Sequence, residues 1–120
     1  MNFGYGKYKG NVMELLLAGA PQEAILAYCT QAVEPLRLVD EGRHMEYEKT
    51  LRTYLNCGND MVRTSKVLYI HRNTVVQRLR RIDELLGTDV NLPEVRNEYM
   101  NIFAALSYFS GQEGGRRAAQ

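Results

Sequence analysis

The sequence predicts an all-α fold, a small helical bundle, and three observations lead there. Apolar residues recur at intervals of three and four from Val12 to Phe109. No segment alternates with the period of two that a half-buried strand requires. The breaks between the apolar runs carry Asn, Gly and Pro where helices stop and start. A chain of 120 residues, 45% hydrophobic and 24% charged, is long enough for one compact domain that needs no metal or disulfide staple.

Residues 1–10 hold three glycines and no periodicity, and read as a flexible N-terminal arm. Asn11 is a suitable N-cap for a short helix over Val12 to Ala18. Pro21 suits the first turn of a second helix, in which Ile25, Tyr28, Cys29, Ala32, Val33 and Leu36 recur at helical spacing. Pro35 is expected to end or kink that helix. Residues 11–43 thus form a helical N-terminal extension, ahead of a second region at 44–110. There a third helix runs from about Met45 to Asn56, with Tyr47, Leu51, Tyr54 and Leu55 on one side. Gly58 is fit for the left-handed position behind it, and Asn59 for capping the next helix. A fourth helix covers about Asp60 to Leu68, and a fifth runs from Arg72 to Leu86 and stops at Gly87. Pro93 opens the sixth, whose Val95, Tyr99, Ile102, Leu106 and Phe109 form one stripe. From Gly111 to Gln120 the spacing lapses into a flexible tail.

Several function classes drop out. No apolar run approaches the roughly 20 residues of a membrane span, and no apolar signal stretch argues for export, so a cytoplasmic location is expected. Cys29 and Cys57 lie on apolar helical faces and read as core thiols. His44 and His71 are 27 residues apart and lack paired ligand spacing. The carboxylates form no acid–base or nucleophile motif, and no glycine-rich loop could cradle a phosphate. Neither an enzyme nor a cofactor is expected.

The net charge of +1 conceals an asymmetry. Residues 61–82 contain six cations and no acid, whereas the other 98 residues hold nine cations against fourteen acids. A segment at +6 inside an acidic body favours polyanions locally. This segment holds the fourth and fifth helices, joined only by Tyr69, Ile70 and His71. A short helix, a tight turn and a longer basic helix make a helix-turn-helix. Ser65 is the small residue available where the helices cross, and Ile70 would plug the space between them. Val75, Leu79, Ile82, Leu85 and Leu86 form the inward stripe of the fifth helix, and Asn73, Gln77, Arg80 and Glu84 the outward one.

This pattern points to double-stranded DNA, because amides and Arg near the start of an outward helix can reach base edges in the major groove. Arg72, Asn73 and Gln77 are the base-edge candidates; Arg63, Lys66, His71, Thr74, Arg80 and Arg81 are the phosphate candidates. Arg78 borders the buried stripe, where an internal ion pair and a phosphate contact are both open. The alternative is a helical interaction or dimerisation module without DNA binding.

The residues Thr50 to Leu55, Gly58-Asn59, Val67 to Val75 and Arg78 to Gly87 closely resemble the C-terminal DNA-binding domain of PucR-type regulators. These bacterial transcription factors include purine-catabolism and CdaR-like sugar-diacid regulators. Ile70-His71-Arg72-Asn73-Thr74 followed by Arg78-Leu79-Arg80-Arg81-Ile82 is the specific part of the likeness. It extends more weakly over residues 12–109, and the turn and recognition helix are similar to the Fis-type helix-turn-helix. The sequence departs from the family at Ser65, where Ala is usual, at Val75, where Leu is frequent, and at Val76-Gln77, where Tyr or Arg is common. The resemblance implies a sensory region upstream, which these residues do not include. One helix-turn-helix makes few base contacts, so a homodimer is expected. Met100 and Phe103 on the sixth helix, or the helix from Val12 to Leu17, would supply its surface.

Overall fold

The computed structural model describes residues 11–43 and 45–119, with side chains as far as Ser110. The arm expected at 1–10, and His44, lie outside the described residues. Six helices follow in order: α1 (Val12–Leu17), α2 (Gln22–Arg43), α3 (Tyr47–Asn56), α4 (Met61–Leu68), α5 (Arg72–Leu86) and α6 (Pro93–Ala119). No strand occurs among the described residues. None of these helices is long and apolar enough to cross a membrane. The backbone of α6 stays helical to Ala119, beyond Gly111, where the apolar spacing lapses.

The chain divides into two units: residues up to Ala32 together with those from Asn101, and residues Val33–Met100. In the first unit Asn11 caps α1, its Oδ1 accepting the Glu14 N–H at 2.9 Å. Val12 and Leu15 of α1, Ala24, Ile25 and Cys29 of α2, and Ile102, Phe103 and Leu106 of α6 are buried there. Phe103 is therefore not the spare surface its offset position on the helix suggests. Met100 is exposed, as are Met13, Leu16 and Leu17.

The second unit contains the later half of α2, all of α3, α4 and α5, and the first turns of α6. Pro35 neither ends nor opens α2, which continues to Arg43. Proline removes the N–H that would reach the carbonyl four residues back. Here that residue is Gln31, which is exposed, so water can take the bond. Val33 and Leu36, both fully buried beside the proline, hold the helix by packing.

Helix α3 starts two residues later than its apolar spacing suggests. Glu46 sits in the left-handed region at φ 55°, and its side chain caps nothing. Asp40 of α2 does the capping instead, accepting the N–H groups of Tyr47 (2.6 Å) and Glu48 (3.0 Å). Arg37 grips the Glu48 carboxylate through Nε at 2.7 Å and Nη2 at 3.0 Å. That hydrogen-bonded pair raises the Arg37 pKa further.

Helices α3, α4 and α5 pack against one another pairwise. Tyr47, Leu51, Tyr54 and Leu55 of α3 are all buried, as the spacing predicts. Cys29 and Cys57 are both buried, and neither is in a disulfide. The link from α5 to α6 is pinned to this core. Val90 is fully buried and donates its N–H to the Asp83 carboxylate at 3.1 Å. Burial raises the Asp83 pKa, and the Val90 N–H draws it partly back. Tyr54 donates its hydroxyl to Asn91 Oδ1 at 2.7 Å, and the Asn59 amide donates to the same oxygen at 2.9 Å.

Candidate nucleic-acid interface

Helix α4 opens at Asp60, whose Oδ1 accepts the N–H groups of Val62 (2.9 Å) and Arg63 (3.0 Å). Asp60, rather than Asn59, is thus the cap: Asn59 takes a left-handed φ of 61°, and its side chain turns to Asn91. The buried small residue of α4 is Thr64, fully enclosed, while Ser65 is half-buried. Thr64 can be enclosed because its hydroxyl donates to the Asp60 carbonyl at 2.7 Å, leaving only its methyl group to pack.

The turn begins where Tyr69 enters the left-handed region at φ 57°, ψ 42°. The N–H groups of Tyr69 and Ile70 both reach the Ser65 carbonyl, closing α4. Ile70 is half-buried. His71 then caps α5: its Nδ1 accepts the Asn73 N–H at 3.0 Å. An accepting Nδ1 places the ring proton on Nε2, which leaves a donor free for an outside acceptor. Helix α5 ends where Gly87 takes φ 69°, a conformation glycine adopts without strain.

Val75, Leu79 and Ile82 of α5 are buried, and Leu85 and Leu86 half-buried. Asn73, Gln77, Arg80 and Glu84 are exposed, so the outward stripe faces solvent along its whole length. Arg72 and Arg81 are also exposed, as are Arg63 and Lys66 on α4. Thr74 and Val76 are half-buried at the border. Arg81 Nη1 lies 2.9 Å from Glu84 Oε2, with both side chains largely in solvent. Such a pair is worth at most about 1 kcal/mol, so a phosphate can displace the carboxylate.

Arg78, at the border of the buried stripe, takes an uncharged partner within the fold. It donates to the Thr50 hydroxyl at 3.2 Å, a neutral partner on α3. Thr50 is fully buried, and neither it nor Thr64 stands out in the sequence. A cleft of about 570 Å³ at the start of α3 is lined by Asp40, Glu46, Glu48, Lys49 and Arg52. Asp40 and Glu48 there are already engaged in capping α3 and pairing with Arg37. Among the described residues no group of His, Cys, Asp and Glu could hold a metal ion.

A half-buried helix pair with a cap at each start, a tight turn and an exposed basic second helix is the geometry of a helix-turn-helix. The PucR C-terminal helix-turn-helix domain matches residues 47–106, which span α3 to the middle of α6. The chain belongs to this family. PucR-type domains belong to DNA-binding transcription regulators, not to enzymes. The chain is 47% identical over 45 residues to the purine catabolism regulatory protein of Bacillus subtilis, covering 38% of this chain and 8% of that one. Uncharacterized proteins of Mycobacterium bovis and Mycobacterium tuberculosis are 37% identical over 82 residues, or 68% of this chain and 18% of theirs. The chain thus spans less than a fifth of the length of these relatives. No solved structure matches it significantly.

Proposed function

We propose that this PucR-type domain binds specific sites on duplex DNA by inserting α5 into the major groove. The observation that carries the reading is the uninterrupted exposure of Asn73, Gln77 and Arg80 on a helix whose opposite face buries Val75, Leu79 and Ile82. Arg72, Asn73 and Gln77 read base edges, since they occupy the first two turns. Arg63, Lys66, Thr74, Arg80 and Arg81 hold phosphates and set the register, and His71 offers its Nε2–H to the same strand. The protein acts in the cytoplasm as the DNA-binding part of a regulator whose sensory region lies elsewhere.

The working unit is a homodimer reading a two-fold symmetric site, because two linked helices gain effective concentration that one lacks. Exposed Met13, Leu16 and Leu17 on α1, and Met100 on α6, supply apolar surface for it. Selection from a pool of random duplexes tests the reading. An enriched motif is expected, arranged as an inverted repeat with half-sites about one DNA turn apart. A pool with no enriched motif after repeated rounds contradicts specific binding, and a lone half-site contradicts the dimer.

A further inference from the structure

Three residues other than glycine take a positive φ among those described: Glu46, Asn59 and Tyr69. Two of them have local compensation. The Glu46 carbonyl accepts both the N–H (2.9 Å) and the hydroxyl (2.8 Å) of Thr50, and asparagine tolerates the conformation while its amide holds Asn91. At Tyr69 the backbone N–H closes α4 on the Ser65 carbonyl, a bond any residue could make, while its side chain is 94% exposed. Elsewhere among the described residues glycine takes the left-handed position behind a helix, at Gly19, Gly58 and Gly87. Among the described residues, only at the helix-turn-helix turn does a bulky aromatic residue stand there, its ring in solvent. The turn needs the conformation but not the ring, so an exposed phenol at the position glycine would fill without strain points to a use outside the fold.

The place of Tyr69 identifies that use. It follows directly on α4 and stands three residues ahead of Arg72, the first residue of α5, between exposed Lys66 and exposed Arg72 in sequence, and in this motif the first helix crosses the DNA backbone. A phenol suits a strand of sugar and phosphate, with a hydroxyl for a phosphate oxygen and a ring face for the deoxyribose. We infer that Tyr69 is a DNA-backbone contact on the strand flanking the groove that α5 enters. The strained turn holds its ring outward for that purpose. The inference rests on the DNA-binding reading above and deepens it.

The test uses the 120-residue chain, a random-sequence duplex and two variants. Tyr69→Gly removes ring and strain together, so stability and binding should move in opposite directions. Tm is expected to rise by about 4–8 °C, while affinity for the duplex falls roughly 5- to 30-fold. Tyr69→Phe keeps the ring and the turn, and is expected to leave Tm unchanged while weakening binding roughly 3- to 10-fold. Neither variant removes a cation, so neither should change the slope of affinity against salt. Tyr69→Gly binding within about two-fold of wild type, or a fall in its Tm, overturns the assignment alone. A wild-type chain that binds no duplex overturns the DNA reading as well.

Discussion

Arg78 on α5 donates a 3.2 Å hydrogen bond to the Thr50 hydroxyl on α3, which in turn donates its O–H to the Glu46 carbonyl at 2.8 Å. The chain of donors links α5 to the start of α3 through a fully buried threonine. Of the four arginines on α5, this one is half-buried and bonded to another helix, while Arg72, Arg80 and Arg81 are exposed.

Arg78→Ala is therefore expected to affect folding rather than charge-driven binding. Losing a charged donor to a buried hydroxyl costs about 1–3 kcal/mol, visible as a lower midpoint in urea. Arg80→Ala should leave the midpoint within about 0.5 kcal/mol of wild type. Denaturation curves of the two variants side by side check the distinction.

Asp40 caps a helix it does not belong to. Replacing it with Ala orphans the N–H groups of Tyr47 and Glu48 and is expected to cost about 0.5–2 kcal/mol. Asp40→Asn retains one acceptor oxygen and should lose less. Hydrogen exchange at the Tyr47 and Glu48 amides would locate the loss at the start of α3.

Gln77→Ala should relax base preference at one or two positions of the selected site, by roughly 1–3 kcal/mol if the amide bonds a base bidentately. Arg81→Ala should instead weaken all duplexes about equally. Competition between selected and random duplexes measures both. Equal losses on the two for Gln77→Ala would assign that side chain to the backbone.

Burial of Tyr99 on α6 pushes its phenol up to about 12. A group whose folded pKa is raised contributes fully below its unfolded pKa of about 10, and its contribution is lost as pH rises toward the folded value. Stability is therefore expected to fall across that alkaline interval. Tyr99→Phe, which has no proton to lose, should flatten this part of the pH–stability curve. An unchanged alkaline limb in the variant would contradict the role given to Tyr99.

Local signals made most of the helices legible. Asn11 before α1, Gly58 behind α3 and Gly87 behind α5 act on backbone groups within a few residues, so spacing alone locates them. The outward stripe of α5 was equally readable, since 100° per residue needs no tertiary information. Contacts across the chain were not readable. Asp40 reaches the start of α3 only because α2 continues through Pro35, and nothing local shows that packing at Val33 and Leu36 outweighs the lost hydrogen bond. Asn59 and Asp60 are equivalent as caps in sequence; the hydrogen bond to Asn91, 32 residues on, removes Asn59 from that role. Phe103 sits off the main stripe of α6, yet it is buried. Tyr69 was visible only as a turn residue, because strain is a property of φ and not of composition.

The phosphate-binding surface proposed for α4 and α5 is tested most directly by the salt dependence of duplex binding. Each phosphate neutralised contributes about −0.9 to the slope of log K against log salt. With about four phosphates per protomer the slope should be about −3 to −4 for a monomer and twice that for a dimer. Arg80→Ala should reduce it by about 0.9 per protomer, and Arg78→Ala should leave it unchanged. A slope near zero, or no duplex binding by micromolar protein at about 50 mM salt, would contradict the account.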